Sequence, residues 1–182
     1  MQIGGDWSNA AFWLCVNELP GCNVEVTGLD PDSAQGDRRI VSALDQLRAS
    51  ERECVLDAGD IPDLVPTIAA CACAAGKELR VTHAERLRIK ESDRIATVRQ
   101  ALNALGGEVA ETPDGLIVRK RKPTGGTVDA AGDHRIAMMA AVASAGCTRE
   151  VVIRGAEAVN KSYPGFWRDF KSLGGRVELT EG

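Results

Sequence analysis

The chain has 182 residues, of which 44% are hydrophobic and 26% are charged, and its formal net charge is −4. This length suits one sizeable domain with a real core. The acidic balance argues against a general binder of nucleic acids or anionic membranes, and no apolar run approaches the roughly 20 residues of a membrane-spanning helix. The first residues lack a basic region followed by an apolar run, so we expect no secretory signal and a soluble cytoplasmic protein.

Helical and strand patterns alternate along the chain. The spacing of apolar residues, with glycine and proline between the runs, predicts helices at about 8–19, 36–47, 61–75, 92–105, 135–145 and 164–173. Short strands are predicted at about 23–27, 53–56, 78–82, 108–110, 116–119, 151–153 and 176–179. This alternation indicates an α/β fold with a mixed or parallel sheet and helices packed on it.

A similar unit occurs three times in the sequence. Gly-Asp opens a helix rich in small residues at Gly5-Asp6, Gly59-Asp60 and Gly132-Asp133, and a strand, a polar loop and a second helix follow each time. One such unit cannot bury its own apolar faces, so we expect the three to pack in a single domain and to gather their polar loops on one side. The predicted repeats are approximately 5–58, 59–131 and 132–182.

The six cysteines do not form a pattern typical of a metal site. Cys71 and Cys73 are two residues apart in a helical stretch, which would point their sulfurs about 200° apart. We therefore expect the cysteines to be small, mostly buried hydrophobic residues in a reducing compartment.

The segment Lys90-Glu91-Ser92-Asp93-Arg94 is the first candidate for chemistry. If the helix includes both ends, two cations lie on one of its faces; if it starts at Ser92 or Asp93, Lys90 and Glu91 lie on the preceding loop. Free backbone N–H groups and two cations there suit a phosphate or carboxylate, and Glu91 could stay ionised or pass a proton. The alternative is a solvated helix start with an ion pair inside the helix.

Three other residues or pairs stand at the starts of helices. His134 can act as an acid or a base near neutrality, and Arg135 can hold an anion, although His134 could instead cap its helix. Asp63 occupies the equivalent place in the second repeat and could likewise be only a helix cap. Lys161 precedes the last helix and, taken alone, could be a solvated charge.

The repeat register relates these candidates to one another. Asp63 and His134 occupy matching helix starts, while Lys90, Arg94 and Lys161 occupy matching junctions between a loop and a helix. A shared pocket with this combination of cations, acids and an imidazole suits transfer chemistry on a phosphorylated small molecule. The pocket would contain Asp63, Lys90, Glu91, Arg94, His134, Arg135 and Lys161.

The motifs that hold these residues resemble a known family. LRIKESDRI, GDHRIAM and NKSYPGFW, together with GDWSNAAFW, SAQGD and IPDLVPTIAA, are similar in sequence and in order to the C-terminal half of the 5-enolpyruvylshikimate-3-phosphate (EPSP) synthases. The resemblance covers essentially the whole chain. It implies that residues 1–182 form one of two similar lobes, built from three βαβαββ units around a pseudo-threefold axis, with helices in the centre and mixed sheets outside.

The resemblance also implies a reaction. The family transfers the enolpyruvyl group of phosphoenolpyruvate to the 5-hydroxyl of shikimate 3-phosphate and releases phosphate, through a tetrahedral adduct and without a metal or organic cofactor. This step belongs to the shikimate pathway, which leads to chorismate and the aromatic amino acids.

Roles can be carried over by motif. Asp63 would contact the shikimate hydroxyls and serve as a base, Lys90 would contact shikimate 3-phosphate, and Glu91 would take part in proton transfer to the enolpyruvyl methylene. His134 would support the proton relay, and the division of proton transfers among these acids and bases is left open. Phosphoenolpyruvate would be held by Arg94, Arg135 and Lys161. Arg86 stands where some family members have Asn.

The chain departs from the family by what it lacks. The Lys-Ser segment, the Asn-Ala-Gly-Thr loop and the Ser-Ser-Gln segment, which hold the other side of both substrates, are missing. We therefore expect a lobe whose partner is the missing N-terminal lobe and which turns over negligibly alone. The alternatives are a lobe like that of UDP-N-acetylglucosamine enolpyruvyl transferase, and a noncatalytic stand-alone binding domain.

Overall fold

The computed structural model describes residues 5–180. The helices are α1 (Trp7–Val16), α2 (Ile40–Ala49), α3 (Val65–Ala75), α4 (Arg94–Ala104), α5 (His134–Ser144) and α6 (Phe166–Ser172). The strands are β1 (Glu53–Asp57), β2 (Glu78–Thr82), β3 (Val109–Thr112), β4 (Gly115–Val118), β5 (Gly126–Asp129) and β6 (Val151–Arg154). Short 3₁₀ turns cover Gly36–Arg39, Pro62–Leu64, Glu85–Ile89 and Ala156–Lys161.

The strands form two sheets, which confirms the predicted α/β class. The larger sheet has the order β1-β2-β4-β3, with β1 parallel to β2 and the other two pairs antiparallel. The smaller sheet is the parallel pair β5 and β6. Each parallel pair is joined by a helix, α3 or α5, as a parallel connection requires.

The order β1-α3-β2-α4-β3-β4 is a complete βαβαββ unit, and β5-α5-β6-α6 follows the same order as far as its second helix. Strand pairing crosses the predicted repeat limits, because β1 lies before residue 59 and β5 lies before residue 132. The division into repeats at 5–58, 59–131 and 132–182 stays a prediction.

Helices α3 and α5 lie in the core and pack against each other and against α1. Residues 65–74 of α3 are all buried, and so are residues 136–143 of α5. Their many alanines carry little bulk, which permits close approach, and helices that are apolar on all sides belong inside a domain. Gly76 ends α3 in the left-handed conformation, with φ of 70°.

Two predicted strands are wrong. Residues 23–27 form no strand, because the side-chain amide of Asn17 hydrogen-bonds to both backbone groups of Val24. The Asn17 Nδ2 donates to the Val24 carbonyl and the Val24 N–H donates to Asn17 Oδ1, each at 2.6 Å. Residues 176–179 also form no strand, and they are mostly exposed.

The sequence analysis also missed a strand. β5 begins at Gly126, which follows another glycine and has φ of 150°, so the local sequence is typical of a turn. The parallel pairing with β6 and a hydrogen bond from the Gly126 N–H to the Glu150 carbonyl at 3.0 Å make the strand.

Several predicted helices are shorter than expected. The helices predicted at 36–47 and 61–75 open with a 3₁₀ turn, and the helix predicted at 8–19 ends at Val16.

Cys15, Cys54, Cys71 and Cys73 are buried and all six cysteines are free. None of the helices between residues 5 and 180 is long and apolar enough to cross a membrane.

Candidate active site

Arg94 lies at the centre of the candidate site, at the start of α4. The residue is 1% exposed, and its guanidinium donates to three carboxylates. Nε donates to Asp133 Oδ2 at 2.7 Å, Nη1 to Asp63 Oδ1 at 2.8 Å, and Nη2 to Glu91 Oε2. A buried cation needs such partners because desolvation of an unpaired charge is costly. Arg94 therefore ties together the starts of α3, α4 and α5.

Asp133 is a residue of this cluster that was not predicted from the sequence. It is completely buried, and it caps α5 by accepting from the Arg135 N–H at 2.9 Å. The Ser92 hydroxyl donates to its other oxygen at 3.1 Å. Burial raises the pKa of Asp133, but the hydrogen bonds and charge of Arg94, with those two donors, outweigh it and hold the pKa below its usual value. Its place after Gly132 in the repeated dipeptide was the available signal.

Asp63 lies in the 3₁₀ turn before α3, where three cations face its carboxylate. Oδ1 is 3.3 Å from Lys90 Nζ and also accepts from Arg94, while Oδ2 is 3.7 Å from Arg135 Nη2. Burial raises the pKa of Asp63, but the positive charges of Arg135, Lys90 and Arg94 outweigh this effect. The pKa is therefore below its usual value, and the carboxylate is ionised near neutrality. Within the described part of the chain no side chain caps the start of α3, so the alternative role of Asp63 as a helix cap is not observed.

Arg135 connects the cluster to the start of α1, in the predicted first repeat. Its Nη1 donates to the backbone carbonyl of Asp63 at 3.1 Å, and its Nη2 donates to the Ser8 hydroxyl at 2.6 Å. Asp6 caps α1 and accepts from the Ser8 N–H at 2.9 Å, which fixes the position of Ser8. The first repeat thus contributes a contact that the sequence analysis did not predict.

His134 and Lys161 lie at the edge of the same cluster. His134 is 9% exposed, and its Nδ1 has no hydrogen-bond partner within the part of the chain that the structure describes. Burial lowers the pKa of His134, as does the charge of Arg135, so its imidazole is neutral near pH 7. Lys161 Nζ donates to the carbonyl of Gly132 at 2.7 Å, two residues before His134.

Lys90 and Glu91 lie on the loop that precedes α4, which is one of the two arrangements that the sequence left open. Asp93 caps this helix by accepting from the Ala96 N–H at 3.1 Å. Arg88 donates to Asp93 at 3.0 Å and thereby ties the loop to the helix start. The loop is therefore held at both ends while Lys90 and Glu91 face the cluster.

An open cleft with a volume of about 520 Å³ lies beside Asp63. It receives residues from the loop before α2, from the turn before α3 and from the loop before α4. Its polar lining includes Gln35, Asp37, Asp60, Asp63, Arg86 and Lys90. Among residues 5–180, no group of three or more His, Cys, Asp or Glu side chains is arranged to hold a metal ion.

Comparison with known proteins identifies the family. A family model described as EPSP synthase (3-phosphoshikimate 1-carboxyvinyltransferase) matches residues 1–170. The chain belongs to the EPSP synthase family. Its curated relatives include 3-phosphoshikimate 1-carboxyvinyltransferases from Clostridium kluyveri, which is 45% identical over 97% of this chain, and from Clostridium acetobutylicum, which is 42% identical over 97%. The chain spans about half the length of these relatives, 45% and 44% respectively.

Solved structures show the same fold. The EPSP synthase of Acinetobacter baumannii matches 98% of this chain with a TM-score of 0.82 at 24% identity, and the match covers 48% of that protein. The enolpyruvyl transferase NikO of Streptomyces tendae matches with a TM-score of 0.63 at 16% identity, over 98% of this chain and 45% of that one. Both likenesses are consistent with one lobe of the EPSP synthase fold.

The residues predicted from the EPSP synthase motifs meet in space. Asp63 is the common neighbour of Lys90, Arg94 and Arg135, and Arg94 adds Glu91. His134 follows Asp133 at the start of α5, and Lys161 reaches the loop before that helix. The roles assigned to these side chains remain predictions, but the shared location that those roles require is present.

Proposed function

We propose that this chain supplies one half of the active site of a 3-phosphoshikimate 1-carboxyvinyltransferase, and that the missing N-terminal lobe supplies the other half. The supporting observation is the ionised carboxylate of Asp63, which is surrounded by cations from two other segments of the chain. Such a site binds multiply anionic substrates and keeps a proton acceptor among them. The six free cysteines support a reducing compartment, and we place the protein in the cytoplasm.

Shikimate 3-phosphate would occupy the cleft beside Asp63. The carboxylate of Asp63 accepts hydrogen bonds from the shikimate hydroxyls, because it is ionised and one third exposed. Lys90, which is exposed to a similar degree, gives up part of its contact with Asp63 and binds shikimate 3-phosphate. The proximity of these two side chains supports binding of hydroxyl and anionic groups of one ligand.

Phosphoenolpyruvate would be held by Arg94, Arg135 and Lys161. Nη2 of Arg94 donates to the Glu91 carboxylate, so the incoming anion has to displace that carboxylate. Glu91 is the most exposed partner of Arg94, and it lies on a loop, whereas Asp133 is fully buried. Exchange of Glu91 for the substrate would leave Glu91 beside the substrate, which suits its proposed part in proton transfer.

The reaction proceeds by addition and elimination. In the addition, the shikimate 5-hydroxyl loses its proton towards Asp63 and its oxygen bonds to C2 of phosphoenolpyruvate, while C3 receives a proton through Glu91. In the elimination, the bond from C2 to the phosphate oxygen breaks, C3 loses a proton, and phosphate leaves. His134, whose lowered pKa keeps it neutral, supports the relay that returns these protons. Neither step requires a metal or an organic cofactor.

The chain alone is expected to turn over negligibly. The cluster is open on the side of the cleft, where the side chains of Lys90, Asp63 and Glu91 are 32%, 33% and 43% exposed. Catalysis of this kind depends on holding both substrates in reacting geometry and excluding water, which requires the second lobe. We expect no measurable phosphate release above background when both substrates are added.

Side-chain NMR of the chain tests the proposal directly. Shikimate 3-phosphate should shift the signals of Lys90 and Asp63, and phosphoenolpyruvate should shift those of Arg135 and His134. Arg135→Gln should abolish the shifts caused by phosphoenolpyruvate, whereas the control Arg121→Gln should not. Arg121 is exposed near the opposite end of α3, where its backbone carbonyl faces Cys73.

The same titration discriminates between the proposed function and its two alternatives. Shifts with UDP-N-acetylglucosamine but not with shikimate 3-phosphate would favour the rival transferase. The absence of any shift with either phosphorylated ligand would favour a noncatalytic domain and refute the proposal. Phosphate release by the chain alone at the rate of a complete enzyme would refute the part that concerns the missing lobe.

A further inference from the structure

The two close hydrogen-bond partners of Arg135 are neutral groups. Its Nη1 donates to the Asp63 carbonyl at 3.1 Å and its Nη2 to the Ser8 hydroxyl at 2.6 Å, whereas Oδ2 of Asp63 is 3.7 Å from Nη2. Arg94, by contrast, is bound by three carboxylates. Because a guanidinium binds an anion more strongly than a neutral acceptor, an incoming anion replaces the contacts of Arg135 more easily than those of Arg94.

Release of Arg135 would leave the Asp63 carbonyl without this donor. Asp63 lies in the 3₁₀ turn Pro62–Leu64, and the residue three positions further on is Pro66, which has no N–H to continue the pattern of that turn. A partly buried carbonyl that loses its donor costs free energy, and this cost opposes binding of the anion. A second donor within reach of the carbonyl would remove the cost.

Thr67 offers such a donor. It lies in α3, one helical turn after Asp63, and a threonine hydroxyl in a helix can donate to the carbonyl four residues earlier. Thr67 is completely buried, and its Oγ1 has no hydrogen-bond partner among residues 5–180. An unpaired buried hydroxyl is unfavourable, which favours a second state of the site in which this hydroxyl is paired.

We infer that Thr67 is a positioning residue that takes over the Asp63 carbonyl when Arg135 turns towards a substrate anion. In the free chain the carbonyl accepts from Arg135, and with phosphoenolpyruvate bound it accepts from the Thr67 hydroxyl. The exchange holds the turn that carries the Asp63 carboxylate in place while Arg135 is engaged. This inference rests on the proposed function, in which Arg135 binds phosphoenolpyruvate.

Thr67→Val tests the exchange, because valine has nearly the shape of threonine but no hydroxyl. In the free chain the substitution removes an unpaired buried group, so the urea midpoint should stay unchanged or rise by up to about 0.5 M. The affinity for phosphoenolpyruvate, followed by NMR up to about 10 mM, should fall about five-fold because the carbonyl is then unpaired in the complex. The affinity for shikimate 3-phosphate should stay within about two-fold.

Thr67→Ser is the matched control. It keeps the hydroxyl and loses a buried methyl group, so it should lower the urea midpoint but leave the affinity for phosphoenolpyruvate within about two-fold. A residue with a purely structural role would not give stronger folding with weaker binding in one variant and the reverse in the other. Equal weakening of phosphoenolpyruvate by both variants would overturn the inference, as would no weakening by Thr67→Val.

A double-mutant cycle tests the exchange without a ligand. Arg135→Met removes the competing donor, so the Thr67 hydroxyl should donate to the Asp63 carbonyl in the free chain. In that background Thr67→Val should lower the urea midpoint by about 0.5 M, whereas in the unchanged chain it should not lower it. An effect of the same sign and size in both backgrounds would contradict the exchange.

Failure of this inference is distinguishable from failure of the proposed function. If phosphoenolpyruvate shifts the signals of Arg135 but Thr67→Val leaves its affinity unchanged, only the role of Thr67 is wrong. If phosphoenolpyruvate does not bind to the unchanged chain, both proposals are wrong.

Discussion

Replacing Asp133 by alanine tests whether the buried cluster holds the lobe together. The substitution removes three interactions: the cap on α5 through the Arg135 N–H, the hydrogen bond from the Ser92 hydroxyl, and the ion pair with Arg94. Nε and Nη2 of Arg94 lie 2.7 and 3.3 Å from the carboxylate oxygens. Since Arg94 is 1% exposed, water cannot take the place of the lost carboxylate without rearrangement.

The size of the effect follows mainly from the cap and the ion pair. Loss of a helix cap costs about 1 kcal/mol. Removal of one partner of a buried ion pair costs roughly 3–5 kcal/mol, and the lower end applies because Asp63 and Glu91 still contact Arg94. We therefore expect Asp133→Ala to lower the free energy of unfolding by about 4 kcal/mol.

The first repeat offers a matched control. Asp6 holds the equivalent place before α1 and accepts from the Ser8 and Asn9 N–H groups, but it is exposed and pairs with no buried cation among residues 5–180. Asp6→Ala should therefore cost only the cap, about 1 kcal/mol. Asp133→Asn, which keeps an acceptor for the cap but loses the charge, should fall between the two alanine variants.

Urea denaturation of the chain, followed by circular dichroism, measures these differences. For a slope of about 2 kcal/mol/M, a difference of 3 kcal/mol between the two alanine variants separates their midpoints by about 1.5 M. Equal midpoints for Asp6→Ala and Asp133→Ala would show that the ion pair with Arg94 contributes nothing, and the account of the cluster would then be wrong.

Three further predictions follow from the same side chains. The pKa of His134 is lowered by burial and by a neighbouring guanidinium, so the midpoint of its NMR titration should fall below about 6.5. The stability that the neutral imidazole contributes should decrease as the pH drops from about 6.5 to that midpoint. Asp63 and Asp133 have lowered pKa values despite burial, so the stability that they contribute is complete above pH about 4 and should be lost on further acidification; a flat urea midpoint from pH 5 to 2 would contradict this. Glu91→Gln should raise the affinity of the chain for phosphoenolpyruvate about three-fold, because it removes the anion that competes for Arg94; calorimetry that shows weaker binding would contradict the exchange.

The elements that the sequence predicted best are those with a strong local pattern. Helix α3 is apolar along almost its whole length and ends at Gly76, and in the short strands β1 and β2 buried residues alternate with more exposed ones. Residues 23–27 show the limit of such patterns. Their alternation is that of a strand, but strand formation depends on a neighbouring backbone, and there Asn17 takes the backbone groups of Val24 instead.

The candidate site was predictable as far as the repeat register extended. Matching positions in the second and third repeats placed Asp63 near His134 and Arg135, and the loop before α4 near both. Ser8 was missed because a hydroxyl near a helix start is usually a local cap. Its contact with Arg135 spans 127 positions of sequence, which no local pattern indicates.

The repeated Gly-Asp dipeptide shows why the other features of the site could not be predicted from the local sequence. Asp6 is an exposed helix cap, Asp60 forms an exposed pair with Arg39, and Asp133 is buried beneath Arg94. The three aspartates share the same preceding residue and the same place in the repeat, so their differences come from the residues that pack on them. For Asp133 that residue lies 39 positions earlier in the chain, in the preceding repeat. A side chain that acts through a buried ion pair is thus specified by two segments jointly, and neither segment alone distinguishes it from a solvated cap.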